Sequence, residues 1–270
     1  MLWSVRADRG RRNLAVRPAA QPGLRPVERS RARLDLVPGP VALVGAGEFL
    51  PAMAAIDAEL LATSGRRRPR VAILPTASWP DGEAVFQRWA ALGLEHFENL
   101  GAEVEVVNVR ERPDADDAGY AQAVGEADLV YLSGGKPGHL LATLRGSAVW
   151  AAALAAHERG CVLAGCSAGA MVLCAQQARF RFPPQLPLGF EPGLGVVAGA
   201  AVLPHYDRFP ETLAAARVAR APGDTVVLGI DENTAAIGRD GAWQVRGTGR
   251  VTLWRGLHRE RHGSGDTFRF

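Results

Sequence analysis

The sequence has few of the features that assign a chain to a large protein class at once. It contains only three cysteines among 270 residues; Cys161, Cys166 and Cys174 form no Cys-x-x-Cys pair and indicate no disulfide framework. No apolar run approaches the roughly 20 residues of a membrane span. The net charge is only +3. We therefore expect a globular cytoplasmic protein, without a membrane or nucleic-acid partner.

The positive charge is concentrated at the N-terminus. Nine arginines and several prolines stand among the first residues, with few acidic side chains. Arg11-Arg12 could suggest an export signal, but Arg17 and Pro18 fall where its apolar region should be. We expect residues 1–39 to be a disordered basic extension, residues 40–256 to form one domain, and residues 257–270 to be a polar C-terminal tail.

Apolar strands alternate with helical segments through the body of the chain. Strands are predicted at 41–44, 70–75, 104–109 and 129–132 and in the apolar run that begins at Val162 and leads into the loop at residue 165, followed by shorter ones after about residue 180. This order favours a three-layer α/β sandwich with a mostly parallel central sheet and short β-rich C-terminal additions. Ligands of such sheets bind at the carboxyl ends of the strands. The loops at residues 45–48, 133–135 and 165–167 all lie at that edge.

The motif Gly165-Cys166-Ser167-Ala168-Gly169 joins an apolar strand to an apolar helix. This pattern is typical of a nucleophile elbow, in which flanking glycines permit a tight turn and the serine is exposed at the strand end. Ala168 would be the first residue of the following helix, where its N–H could stabilise an oxyanion. The motif therefore indicates a hydrolase or acyl transferase.

A nucleophilic serine needs a base and a carboxylate that orients it. His205 is the best candidate base, because it ends the strand-like run Ala201-Val202-Leu203-Pro204. His96 and His157 are expected at the surface, and His139 is expected to begin a helix. His258 and His262 lie in the polar tail, where no acidic partner indicates a metal site. Asp207, Asp231 and Glu232 are the candidate carboxylates.

These motifs together resemble the dipeptidase E and cyanophycinase family of serine peptidases, peptidase family S51, over roughly residues 40–255. The motifs are Gly-Cys-Ser-Ala-Gly-Ala, Leu132-Ser133-Gly134-Gly135, Pro204-His205-Tyr206-Asp207-Arg208 and Gly229-Ile230-Asp231-Glu232. The resemblance implies the class I glutamine amidotransferase-like fold and a triad of Ser167, His205 and Glu232. Residues 180–188 offer no acidic side chain, and on this point the chain is similar to the cyanophycinase branch.

The resemblance also implies an oxyanion hole and a preferred substrate. The oxyanion would be held by N–H groups of Gly134, Gly135 and Ala168. The family's substrates carry aspartyl residues or β-aspartyl links, so a cation should bind the substrate carboxylate; Lys136 and Arg208 are the main candidates, with Arg179 a third. The expected partner is a small peptide, with a homodimer left open, and no metal or cofactor is needed.

Two other classes of function stay open. A glutamine amidotransferase domain would use a cysteine at the centre of the elbow, but Cys166 stands one position early. A catalytically silent binding protein on the same fold would carry the motif without turnover. Reaction with a fluorophosphonate separates the silent protein from the peptidase.

Overall fold

The computed structural model of the chain describes residues 37–179, 189–239 and 241–270. The predicted extension lies outside this part except for residues 37–39, and so do residues 180–188. The strands are β1 Val41–Val44, β2 Arg70–Leu74, β3 Glu103–Val106, β4 Leu129–Leu132, β5 Val162–Cys166, β6 Gln176–Ala178, β7 Phe190–Pro192, β8 Ala200–Leu203, β9 Val226–Ile230, β10 Thr234–Arg239, β11 Ala242–Gly247, β12 Val251–Arg255, β13 His258–His262 and β14 Thr267–Arg269. The helices are α1 Ala54–Ala62, α2 Glu83–Asn99, α3 Ala118–Gly125, α4 Pro137–Leu144, α5 Ala148–Glu158, α6 Ala168–Leu173 and α7 Glu211–Val218. No helix within these ranges has the length and apolar character to cross a bilayer.

An eight-stranded sheet forms the centre of the fold, in the order β14-β11-β10-β1-β5-β4-β2-β3. The strands from β1 to β3 in this order pair in parallel. The other three strands extend the sheet beyond β1 with antiparallel pairing, β10 with β1, β11 with β10 and β14 with β11. The loops after β1, β5 and β4 therefore lie next to one another at the carboxyl edge of the parallel part.

Side chains of the central strands alternate between two hydrophobic cores. Val41 and Leu43 of β1 face a core that also contains side chains of α3 to α6. Ala42 and Val44 face the opposite core, which contains side chains of α1 and α2. Burial on both faces explains why these strands are continuous apolar runs in the sequence. The predicted three-layer α/β sandwich is confirmed.

A second sheet carries two of the candidate site segments. Its order is β13-β12-β9-β8, and β8 pairs in parallel with β9 so that Leu203 lies opposite Gly229. The carboxyl ends of these strands consequently meet at one edge. His205 follows β8 there, and Asp231 and Glu232 follow β9.

The fold continues beyond the boundary expected at residue 256. In the segment set apart from the sequence as a polar tail, β13 pairs with β12 and β14 pairs with β11. Phe268 is buried, with its ring stacked 6.4 Å from that of Trp243. All five side chains of β13 are polar or charged. Its pairing with β12 is made by the backbone, and the sequence of β13 therefore has no hydrophobic alternation that would predict a strand.

Candidate active site

Ser167 lies in the sharp turn between β5 and α6. Its backbone has φ 49° and ψ −105°, a strained conformation for a residue with a side chain. A Cβ atom on Gly165 would lie 2.4 Å from the carbonyl carbon of Gly169, and one on Gly169 would lie 2.1 Å from the Leu132 oxygen. Both positions therefore require glycine, and the nucleophile elbow predicted from the motif is confirmed.

His205 lies between the serine and a carboxylate. It follows β8 in the left-handed conformation, with φ 51°, and its Nε2 is 3.1 Å from the hydroxyl oxygen of Ser167. Its Nδ1 is 3.1 Å from Oε1 of Glu232. When Nδ1–H donates to the carboxylate, Nε2 is left as an acceptor for the serine proton.

The three acidic candidates have different positions around His205. Only Glu232 contacts the imidazole. Asp207 accepts the backbone N–H of Glu232 at 2.9 Å and so fixes the segment that carries this carboxylate. Asp231 accepts the backbone N–H of Arg250 at 2.9 Å. Asp207 therefore helps to position Glu232 by binding the Glu232 backbone, whereas Asp231 binds the backbone of Arg250, directly before β12.

Arg208 is paired with the carboxylate that contacts the histidine. Its guanidinium donates to Oε2 of Glu232 at 2.9 Å. This hydrogen bond, and secondly the one from His205, holds the pKa of Glu232 below its usual range. The pairing in turn raises the pKa of Arg208. Arg208, expected to bind substrate, thus already stabilises the ionised form of Glu232.

The other two cations proposed for substrate binding are also in ion pairs. Nζ of Lys136 is 3.0 Å from Oδ1 of Asp81, with more than half of the lysine side chain exposed. Arg179 is 3.8 Å from Glu191. Of the two, Lys136 is nearer in sequence to the glycine turn that follows β4.

The N–H groups expected to form an oxyanion hole are not equally available. The Gly134 N–H donates to Oε1 of Glu48 at 2.8 Å, so it is not free for an oxyanion. The Gly135 N–H has no acceptor in the described part of the chain. Ala168 is the first residue of α6, where an N–H lacks an intrahelical acceptor. The structure therefore leaves Gly135 and Ala168 as candidate donors and corrects the expectation for Gly134.

Glu48 is the residue at this edge that sequence reasoning missed as a site residue. It is only 6% exposed, and its Oε2 lies 2.8 Å from Sγ of Cys166. Cys166 is fully buried, and burial, with the nearby Glu48, raises the pKa of its thiol well above the usual range. A buried neutral thiol is a poor nucleophile. The sequence feature that could have pointed to Glu48 is its position directly after a glycine-rich loop at the end of a strand.

Two other histidines have hydrogen-bond partners outside the cluster of Ser167, His205 and Glu232. His96 was expected at the surface, but it is buried with Nε2 2.8 Å from Oδ2 of Asp57. It lies on the face of α2 that packs against α1, which its helical position alone did not show. His139 lies in α4 with Nε2 2.8 Å from the Arg110 carbonyl oxygen. Within the described ranges no group of three potential metal ligands occurs.

The structure thus joins an α/β fold to a cluster in which His205 contacts both Ser167 and Glu232. The sequence matches the model of peptidase family S51 over residues 41–245, and the chain belongs to that family. Cyanophycinases from Trichormus variabilis and a Nostoc species are each 30% identical to it over 204 residues. That match covers 70% of this chain but only 64% of the length of each cyanophycinase.

Solved structures agree with this assignment. The crystal structure of a peptidase from an acI-B1 actinobacterium has a TM-score of 0.78 and 32% identity, covering 87% of this chain and 98% of that one. A peptidase E candidate from Listeria monocytogenes has a TM-score of 0.57, covering 81% of this chain and 98% of that one. At 19% identity, the second comparison shows the shared fold alone.

Proposed function

We propose that this chain is a serine peptidase in which Ser167, His205 and Glu232 act as a catalytic triad. The observation that carries the proposal is the continuous chain of contacts, with His205 3.1 Å from both Ser167 and Glu232. Membership of peptidase family S51 supports the same activity. The burial of Cys166 argues against the thiol chemistry of a glutamine amidotransferase.

The reaction proceeds by acyl transfer to water. Nε2 of His205 takes the hydroxyl proton of Ser167 while Oγ attacks the amide carbonyl, and Glu232 stabilises the imidazolium that forms. The N–H groups of Gly135 and Ala168 donate to the oxyanion. The imidazolium then protonates the leaving amine as the C–N bond breaks. Water, deprotonated by His205, attacks the acyl-enzyme and releases the acid, and the proton returns to Ser167.

The proposed substrates are small peptides with an aspartyl residue or a β-aspartyl link. Two cyanophycinases among the relatives support this substrate class. Lys136 and Arg208 supply exposed positive charge beside the glycine turn and beside Glu232, respectively. A substrate carboxylate would bind Lys136 in place of Asp81, or would bind the exposed guanidinium of Arg208 while Glu232 stays paired to it. None of these steps requires a metal or an organic cofactor.

The test is hydrolysis of α- and β-aspartyl dipeptides, of α-linked dipeptides with asparagine in place of aspartate, and of a β-Asp-Arg polymer. Each substrate is run with wild-type protein and with Ser167→Ala. Cleavage of the aspartyl members by the wild type alone is the expected result. Equal cleavage of the asparagine-containing peptides would contradict the substrate class, and cleavage by Ser167→Ala would contradict the nucleophile.

A further inference from the structure

A buried carboxylate behind the elbow has no part in the mechanism described above. Glu48 follows β1, and its two oxygens have different partners, the N–H of Gly134 and the thiol of Cys166, each at 2.8 Å. Gly134 follows β4, and Cys166 is the last residue of β5. Since β1, β5 and β4 are neighbours in the sheet, one side chain connects the ends of three adjacent parallel strands.

The Glu48 carboxylate and the serine both lie close to the same glycine, Gly134. A Cβ atom on Gly134 would be 2.6 Å from Oε1 of Glu48 and 3.4 Å from Cβ of Ser167. The Ser167 N–H also donates to the Val44 oxygen at the end of β1, at 2.9 Å. The elbow is therefore hydrogen-bonded to the end of β1, and the glycine turn is hydrogen-bonded to Glu48 in the loop that follows β1.

In the glycine turn, the N–H groups of Gly134 and Lys136 have acceptors, whereas the N–H of Gly135 between them has none in the described chain. The Gly134 N–H donates to Glu48, and the Lys136 N–H donates to the Ala77 oxygen at 2.7 Å. Between them Gly135 has φ 142°, and a Cβ atom there would lie 2.2 Å from the Ala77 oxygen. With both neighbouring peptide groups fixed, the N–H of Gly135 has a defined direction although nothing in the described chain accepts it.

We propose that Glu48 is a positioning residue that sets the direction of the Gly135 N–H toward the oxyanion. The inference rests on the proposed serine-peptidase function and adds a residue to it. In this role Glu48 does not touch the substrate. It acts by accepting the N–H of Gly134, the residue before Gly135. Without its acceptor, the Gly134 peptide group can rotate and take the Gly135 N–H with it, which weakens stabilisation of the transition state more than binding.

The test compares variants of Glu48 in their reaction with a neutral alkyl fluorophosphonate. In this reaction the serine oxygen displaces fluoride from phosphorus, and the phosphoryl oxygen occupies the oxyanion position. Glu48→Gln keeps a carbonyl oxygen for the Gly134 N–H, whereas Glu48→Met fills similar volume without an acceptor. Glu48→Asp keeps the charge but withdraws the oxygens by about one C–C bond length, ~1.5 Å.

The inactivation rate constant, kinact, and the reagent's binding constant, KI, are measured separately for each variant. We expect Glu48→Gln to keep kinact within about threefold of wild type. Glu48→Met and Glu48→Asp should lower it about tenfold or more with KI unchanged, part of the 10²- to 10³-fold effect of losing one oxyanion donor. If Glu48→Met does not fold, as judged by its thermal transition, the Gln and Asp pair decides the question.

Two results would overturn the inference: an unchanged kinact in a folded Asp or Met variant, or an equal loss in Glu48→Gln. A wild-type protein that does not react at all would instead contradict the proposed function, so the two failures are distinguishable. If Glu48 only stabilised the fold, its substitutions would lower the temperature of the thermal transition, and kinact would not fall while KI stayed unchanged.

Discussion

Arg208 donates to one oxygen of Glu232 at 2.9 Å, while His205 contacts the other oxygen at 3.1 Å. The arginine side chain is 70% exposed, and so it can reach a substrate as well as the carboxylate. By pairing with Glu232, Arg208 helps to position the proposed triad. Substrate binding, which the sequence led us to expect of Arg208, is a second role and needs a separate test.

We expect Arg208→Gln to slow reaction with the neutral fluorophosphonate about two- to fivefold, the range of an exposed ion pair. Glu232 would lose a partner, whichever substrate is used. Lys136→Gln is the matched control, because it removes an exposed cation paired to Asp81 rather than to Glu232; its labelling rate should be unchanged. A loss in Arg208→Gln confined to the KM of acidic peptides would contradict the positioning role.

The same pair predicts a pH dependence of stability. Arg208, and then His205, hold the pKa of Glu232 below its usual range. The stabilisation this gives is therefore complete above the usual carboxyl pKa and is lost as the pH falls through the lowered one. Urea unfolding should show the largest difference between wild type and Arg208→Gln near pH 7, and this difference should shrink as the pH falls below the usual carboxyl pKa.

Glu232→Gln supplies the control for that measurement, because it removes the titrating group. Adding Arg208→Gln in the Glu232→Gln background should change the free energy of unfolding by an amount that varies less with pH, and the variation that remains comes from Asp207, whose Oδ2 is 3.7 Å from Nε of Arg208. A difference that falls as steeply with pH in the Glu232→Gln background as in the wild type would contradict the role given to the pair of Arg208 and Glu232.

The cysteines should not react in the folded protein. All three are buried, and burial raises the pKa of Cys161 to about 12. We expect iodoacetamide to modify none of them at pH 8 before unfolding, to modify all of them in urea, and to leave fluorophosphonate labelling of the folded protein unchanged. Rapid inactivation by iodoacetamide would favour a thiol nucleophile and the amidotransferase alternative.

The elbow glycines should tolerate no side chain. Gly169→Ala would place Cβ 2.1 Å from the backbone oxygen of Leu132, whereas a Cβ on Gly138 meets nothing within 4 Å. We expect Gly169→Ala to lower the free energy of unfolding by about 2 kcal/mol or more and to impair labelling. Gly138→Ala, on α4, should be neutral or slightly stabilising in the same urea titration. Equal stability of the two variants would contradict the packing described for the elbow.

The sheet, the elbow and the positions of its partners could be predicted because each has a local signal. Ser167 lies within a five-residue motif, and His205 and Glu232 each follow an apolar strand that ends in polar residues. The parallel pairing of β8 with β9 then brings the latter two together. What the sequence leaves open is which acid contacts the histidine, since Asp207, Asp231 and Glu232 have similar local surroundings.

Contacts between distant segments could not be predicted in the same way. Glu48 and Cys166 are 118 positions apart, and their contact depends on β1 and β5 being neighbours in a particular register. His96 lies against Asp57 from another helix, so its burial has no signal within α2 itself. The charged strand β13 pairs through its backbone, and its side-chain pattern is that of a solvated segment.

The most direct test of the central claim locates the fluorophosphonate adduct by mass spectrometry. We expect one adduct, on the peptide that contains Ser167, that is absent in Ser167→Ala and forms at least a hundredfold more slowly in His205→Ala. Both variants should unfold at the temperature of the wild type. An adduct on another residue, or a wild-type protein that forms none, would contradict the serine-peptidase assignment, and the second result would favour a silent binding protein.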